Sequence, residues 1–430
     1  MSGNLRIGLA GLGTVGAGVA KVLHARGKSL AWRAGRGLAL TAVSARDKKK
    51  NRGIDLSGAA FERDPLAIAE RADVDVVVEL IGGDEGVARA LVESALRAKK
   101  HVVTANKALL AHHGAGLAVL AEKNGVSLKF EAAICGGIPI VKALREGLIA
   151  YEVSAVRGIL NGTCNFILTQ MEATGRPFAE VLAEAQRLGY AEADPTLDIG
   201  GGDTAHKLTL LASLAFGTVP DLAGVAMTGI DKVSPADIAF AAEFGYRLKL
   251  LGVARRTSNG IEQLVHPAMV RARTPLADVE SSFNAVSADA GEAGTFFFQG
   301  RGAGQGPTAS AVISDLVDVA RGAFGPTFGR PAAELTEPRR EPAEARSSAY
   351  YLRFQVLDVP GVMAEISRHL ANEMVSIESM IQRGRAPGEP VAIVMITHEA
   401  QHVAVVRALK AIAASDKIFE LPCMIPMETA

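Results

Sequence analysis

The sequence predicts an α/β protein of three parts: a Rossmann-like nucleotide domain, an α+β domain with a mixed sheet, and a C-terminal ferredoxin-like unit. Three observations carry this. Residues 1–141 alternate short, almost wholly apolar strands with helix-period stretches, the pattern of a doubly wound parallel sheet. The run Gly11-Leu12-Gly13-Thr14-Val15-Gly16 sits between the first strand and the first helix. The last part of the chain reads as strand–helix–strand–strand–helix–strand, the ferredoxin-like order.

Strands are expected over 5–10, 38–44, 74–79, 101–104 and 127–131, with helices over 14–26, 64–70 and 86–99. From Lys142 the character changes, and residues 142–325 form the expected second domain. It takes strands over 153–160, 260–265, 271–286 and 294–299, and helices over 164–174, 178–188 and 203–216. A helix over 310–322 is expected to return to the nucleotide domain. Four prolines (Pro326, Pro331, Pro338 and Pro342) among many charges mark 326–347 as a linker. Residues 348–430 then form a self-contained unit. Its strands lie over 350–357, 377–383, 391–397 and 417–424, and its helices over 362–373 and 401–414.

Composition narrows the function. A length of 430 residues exceeds one compact core, so two or three domains are expected. Lys plus Arg balances Asp plus Glu at 46 each, which offers nothing to a nucleic acid or an anionic membrane. Three scattered cysteines, Cys135, Cys164 and Cys423, make no disulfide framework and suit a reducing compartment. No stretch reaches the roughly eighteen apolar residues of a membrane span, and the start of the chain lacks a signal-peptide pattern. A cytoplasmic protein is the expectation.

The glycine-rich turn is where a dinucleotide would bind. Gly11 permits the tight turn, Gly13 lets backbone approach a pyrophosphate, Gly16 allows close packing, and the helix beginning at Thr14 and Val15 offers free N–H donors. At the end of the second strand stands Ser44-Ala45-Arg46-Asp47-Lys48-Lys49-Lys50. Arg46 can pair with a 2′-phosphate, which favours NADP, while Asp47 leaves NAD open. Lys107 follows the strand ending at Thr104, at the edge where ligands bind in open α/β sheets, though most lysines merely solubilise a surface. Asp203 and Lys207, four apart, share a helix face. Spacing alone does not separate an ordinary salt bridge from a proton shuttle whose lysine pKa is lowered by burial.

At this point the motifs GLGTVG, TANK, FEAAICGGIPI, LNGTCNFIL, GYAEADPTLDIGGGDTAHKL and GAGQGPTASAV resemble, in this order, the homoserine dehydrogenases. The tail, with Asp358-Val359-Pro360-Gly361-Val362 between its first strand and helix, resembles an ACT domain. The resemblance implies reversible NAD(P)H-dependent reduction of aspartate semialdehyde to homoserine, in threonine, methionine and isoleucine biosynthesis. It assigns proton transfer to Lys207, with Lys107 beside the reacting carbon. It assigns substrate binding to Glu192, Asp198 and Asp203, and an approach to the cofactor to Gly304. Glu131, with the backbone carbonyls of Ile134, Gly136 and Ile138, matches a monovalent cation site, usually sodium, a donor set that suits a hard, weakly held cation. The tail implies feedback control, most naturally by threonine, and a homodimer or homotetramer, although it could serve only to dimerise.

Two other readings stay open on the sequence. A thiol-dependent semialdehyde dehydrogenase would use Cys135 or Cys164 as nucleophile. A non-catalytic NAD(P)-binding sensor of amino acids would keep the glycine turn and the tail but has no use for Lys107 and Lys207.

Overall fold

The computed structural model describes residues 3–383 and 390–428. Its first sheet is six-stranded and all parallel. The strands are β1 (Leu5–Ala10), β2 (Leu38–Ser44), β3 (Ala60–Glu62), β4 (Val76–Glu79), β5 (His101–Thr104) and β6 (Leu128–Lys129). They lie in the order β3-β2-β1-β4-β5-β6, the dinucleotide-binding arrangement, with the strand order reversing beside β1. β1 and β4 are buried on both faces, as a parallel sheet between helices requires. The helices are α1 (Thr14–Ala34), α2 (Ala67–Glu70), α3 (Val87–Arg97) and α4 (Lys107–Lys123). α1 runs a full two turns past its predicted end and stops at Gly35, which adopts the left-handed conformation.

The second domain contains β7 (Ala155–Ile159), α5 (Gly162–Thr174), α6 (Phe178–Arg187), α7 (Gly202–Phe216) and α8 (Pro235–Glu243). These are followed by β8 (Tyr246–Arg256), β9 (Ile261–Arg271), β10 (Phe283–Asp289), β11 (Thr295–Arg301) and α9 (Gln305–Arg321). α9 packs along α1, so the chain does return to the nucleotide domain. The expected strand over 271–286 is mostly a turn. Pro275 and the left-handed Arg273 and Ser281 break it, and pairing resumes only at Phe283.

Residues 326–347 were expected to form a linker, but they are a packed strap. Phe328 and Thr327 are buried, and Phe328 sits against Gly114, where an added Cβ would lie 3.0 Å from its ring. The strap's Arg340 pairs with Asp221 at 2.7 Å, and Val219 N–H donates to the Thr336 carbonyl. Prolines here fix extended backbone against other elements instead of marking free chain.

The C-terminal unit holds β12 (Tyr350–Leu357), α10 (Val362–Asn372), β13 (Ile377–Gln382), β14 (Pro390–Thr397), α11 (His402–Ile412) and β15 (Cys423–Glu428). The sheet order β15-β12-β14-β13 is antiparallel throughout and ferredoxin-like, with its own apolar core. It is not self-contained. β15 pairs in parallel with β9 (Met269 with Met427, Val270 with Glu428), so the unit continues the second-domain sheet into ten strands. The last strand also starts later than predicted, because Pro422 brings no N–H to a ladder. Residues 384–389, inside the expected tail unit, lie outside the described residues.

Candidate active site

The site forms where β5, β7 and the start of α7 converge. β7 ends at Ile159, and Asn161 caps α5 by accepting the Cys164 N–H at 2.8 Å. Capping uses the side-chain oxygen and leaves its amide nitrogen to donate twice, to Asp198 Oδ1 at 2.8 Å and Asp203 Oδ2 at 2.9 Å. One amide thereby holds two carboxylates together. Asp203 occupies the first turn of α7, where the helix dipole favours negative charge.

Both lysines meet on Asp203. Lys207 Nζ lies 2.7 Å from Asp203 Oδ2 and donates also to the Leu160 carbonyl at 2.6 Å. Lys107 Nζ lies 3.1 Å from Asp203 Oδ1. Burial opposes the Asp203 charge, but the two ammoniums overcome it and hold the carboxyl below its ordinary range. Burial likewise disfavours the Lys207 ammonium, yet the Asp203 carboxylate outweighs it and raises its pKa. Of the two readings that spacing left open, the direction of this shift favours the salt bridge over a lysine lowered toward neutrality. A buried ammonium beside a buried carboxylate stays charged, so the Lys207 amine carries its proton in the cleft. Asp198 is shifted the other way, raised chiefly by its own burial.

The remaining predicted residues divide. Glu192 is exposed, its backbone carbonyl taking a hydrogen bond from Gln186, and among the described residues no hydrogen bond or ion pair joins it to the lysine cluster. Gly304 precedes α9 at φ +110, and Gln305 Nε2 donates to the Thr14 carbonyl at 3.1 Å, so the starts of α1 and α9 lie side by side. In the glycine turn, Gly11 has φ +98 and a Cβ there would meet the Leu80 carbonyl oxygen at 2.5 Å. A Cβ on Gly16 would strike the Gly11 carbonyl oxygen at 1.9 Å, whereas space beside Gly13 is open. The turn is thus built for approach of a ligand at Gly13, and this fits a dinucleotide pyrophosphate at the start of α1. Arg46 is exposed at the rim.

Sequence reasoning assigned no role to several residues the site uses. Arg52 Nε donates to the Leu12 carbonyl at 3.0 Å and ties the basic run to the glycine turn. Buried Glu79 accepts from Thr104 Oγ1 at 2.6 Å and from the Ile81 and Gly82 amides, ordering the loop beside the cleft. Asn161 could have been found, since Asn before an apolar helical run is an N-cap signature. Both buried cysteines are inert. Burial pushes the Cys135 thiol up to about 11 and Cys164 well above its usual value, leaving neither as a thiolate.

Glu131 is buried, and each of its oxygens accepts one backbone N–H, from Val141 and from Lys142, both at 2.9 Å. Asp315 lies behind it, accepting the Glu131 N–H at 2.9 Å. Burial and then Asp315 push the Glu131 carboxyl up to about 7. Cys135 and Gly136, both left-handed, turn the intervening backbone, while the Ile138 carbonyl accepts from Ile140. A buried acid with acceptor capacity left fits a cation.

With this geometry in place, comparison with known proteins is decisive. A family profile described as "Homoserine dehydrogenase" matches residues 139–317, and one described as "Homoserine dehydrogenase, NAD binding domain" matches residues 11–131. A homoserine dehydrogenase of Neisseria gonorrhoeae is 45% identical over 99% of both chains. The chain belongs to the homoserine dehydrogenase family. The crystal structure of a homoserine dehydrogenase from Thiobacillus denitrificans superposes with a TM-score of 0.94 at 42% identity, covering 99% of this chain and 98% of that one. A hyperthermophilic archaeal homoserine dehydrogenase in complex with NADPH shares the fold over 75% of this chain and 99% of its own, with a TM-score of 0.65 at 24% identity. The reaction of a homoserine dehydrogenase is the NAD(P)-dependent interconversion of aspartate semialdehyde and homoserine, an oxidoreductase activity in amino-acid biosynthesis. No helix among the described residues is long and apolar enough to cross a membrane.

Proposed function

We propose that Lys207 is the proton donor for reduction of the semialdehyde and that Lys107, held on the same carboxylate, stabilises the developing alkoxide. The observation that supports this is the Asp203 clamp, which brings both lysine amines to one carboxylate at one point of the cleft. A bound nicotinamide supplies the hydride. The chain's own groups then do two things: they fix the carbonyl oxygen against an ammonium, and they deliver a proton to it from Lys207 Nζ, directly or through water. Asp203 spends three acceptor positions on Lys107, Lys207 and Asn161, leaving one for substrate. Asp198 and, after a movement of its loop, Glu192 complete the substrate contacts, Glu192 at the ammonium group.

The same reading places NADP before NAD on the strength of exposed Arg46 and its lysine neighbours, with Gly11, Gly13, Thr14, Val15, Gly16 and Gly304 lining the pyrophosphate path. It puts a sodium ion at Glu131 and the carbonyls of Ile134, Gly136 and Ile138. It makes the protein a cytoplasmic homodimer or homotetramer whose C-terminal unit is an ACT domain under feedback control by threonine, bound near the left-handed Gly361 (φ +93).

The deciding experiment measures homoserine oxidation and semialdehyde reduction by wild type and Lys207→Ala. Wild-type turnover with about 10²–10⁴-fold loss in the variant, at unchanged NADPH affinity, supports the assignment. A variant with near-normal kcat in both directions removes Lys207 from proton transfer.

A further inference from the structure

Away from the cleft, the nucleotide domain carries a groove along two neighbouring helices. Gln305 Nε2 reaches the Thr14 carbonyl at 3.1 Å, and at the other end Arg321 Nη2 reaches the Arg33 carbonyl at 2.8 Å, so α1 and α9 run side by side and parallel. Gly18 lets them touch: an added Cβ there would lie 3.2 Å from the Ala309 Cβ. Beside this line of contact lies a groove of about 660 Å³, lined on α9 from Gly306 to Arg321. At 1.5 Å per residue that stretch is about 22 Å long, or about four helical turns.

The groove combines apolar surface with unpaired positive charge. Val22 and Leu30 of α1, with Ile313 and Val317 of α9, supply the apolar part of its lining. Lys21, Arg26, Arg33 and Arg321 supply the charge, and all four are exposed. The one acid in the lining, Asp318, is already paired with Lys142 at 2.6 Å. Among the described residues, the side chains of Lys21, Arg26 and Arg33 have no hydrogen-bond or ion-pair partner. Like charges set side by side repel one another, and an anionic partner relieves that repulsion.

An aromatic residue extends the same face. Trp32, the chain's only tryptophan, is 85% exposed. It lies two turns beyond Ala25 of the lining, on the same side of α1. Tryptophan and arginine are among the residues most enriched where binding energy concentrates at protein interfaces.

We propose that this groove docks a protein partner through an acidic amphipathic helix of about four turns. The partner's apolar stripe lies along Val22, Leu30, Ile313 and Val317, its carboxylates meet the four cations, and its flank covers Trp32. A small anion would leave most of this length empty, and a nucleic acid would leave the apolar lining uncovered. The four cations belong neither to the Asp203 clamp nor to the glycine turn, so docking is independent of the reaction assigned above.

Trp32 supplies the readout. Because no other tryptophan is present, tryptophan emission from the full-length protein reports on this face alone. The probe is a tryptophan-free peptide of about sixteen residues, leucine at helical spacing with glutamate and alanine elsewhere. One control scatters its leucines, and the other carries glutamine for glutamate. A saturable blue shift that weakens as salt rises is expected, with each control bound about tenfold or more weakly. Arg26→Glu combined with Arg33→Glu should weaken the peptide about tenfold or more, while homoserine oxidation and NADPH affinity hold. Both side chains are exposed and unpartnered, so the fold does not depend on them. No shift up to about 1 mM peptide, equal binding of either control, or binding indifferent to the double charge reversal overturns the proposal. Tighter binding of inorganic tripolyphosphate or of a single-stranded oligonucleotide overturns it too, by making the groove an anion or nucleic-acid surface.

Discussion

Lys107 and Asp203 meet across the boundary between two domains: the first residue of α4, at the edge of the nucleotide sheet, lies 3.1 Å from a carboxylate in the first turn of α7. Two elements that share no strand and no turn are joined at the point where the chemistry is proposed to occur. Removing the carboxylate tests what it does. In Asp203→Asn, burial still disfavours the Lys207 ammonium but its main counter-charge is gone. Reduction needs the protonated lysine, whose raised pKa keeps the donor charged until pH rises through that value. The high-pH loss of reduction rate should therefore begin at lower pH in the variant, with kcat down about a hundredfold. A pH–rate profile with an unmoved alkaline limb would remove Asp203 from this role.

Asn161 serves structure and site with one side chain. Asn161→Ala loses the α5 cap, which costs about 1 kcal/mol, and leaves Asp198 and Asp203 without their shared donor. Asn161→Asp keeps a capping oxygen but adds a third carboxylate. The expected pattern is a lower melting temperature in both variants, through the lost cap in alanine and through carboxylate repulsion in aspartate, with kcat/KM reduced about tenfold or more in both. Should the aspartate variant keep full activity, the bridging amide is dispensable.

These two residues also mark how far the sequence could be read. The parallel strands, the glycine turn and the ferredoxin-like order were legible because period-2 and period-3.6 patterns and turn residues report local backbone directly. The whole of α4 carried no such signal. Its seventeen residues are apolar or small on nearly every face, with Gly114 and Gly116 inside, so no polar stripe sets off a buried one. The strap over 326–347 misled for a related reason: proline-rich chain looks the same whether it is free or packed against Phe130 and Gly114. Lys107, Lys207 and Asp203 were each identified, but their meeting was not. It depends on a contact of 96 positions' separation that no spacing rule reaches, whereas the charge that raises Lys207 is that of Asp203, its own helix neighbour.

The proposed cation at Glu131 makes a thermal prediction. Melting in NaCl should exceed melting in choline chloride at the same ionic strength by about 2 °C or more once the ion exceeds its dissociation constant tenfold. Glu131→Gln should abolish that difference. Equal melting of the wild type in the two salts rules the site out as a stabilising cation site.

The proposed preference for NADP rests on one exposed side chain. Arg46 stands just beyond β2, where the adenine ribose is expected, and Arg52 ties the same basic run to the Leu12 carbonyl of the glycine turn. A guanidinium there rewards a 2′-phosphate with a charge-assisted contact and gives a bare 2′-hydroxyl far less. Arg46→Ala should raise the KM for NADPH about tenfold while changing that for NADH little, because the contact exists only with the phosphate. Arg52→Ala should weaken both cofactors together, since it loosens the turn that both would share. If Arg46→Ala affects NADPH and NADH equally, the 2′-phosphate is read elsewhere, and the lysines at 48–50 become the residues to replace next.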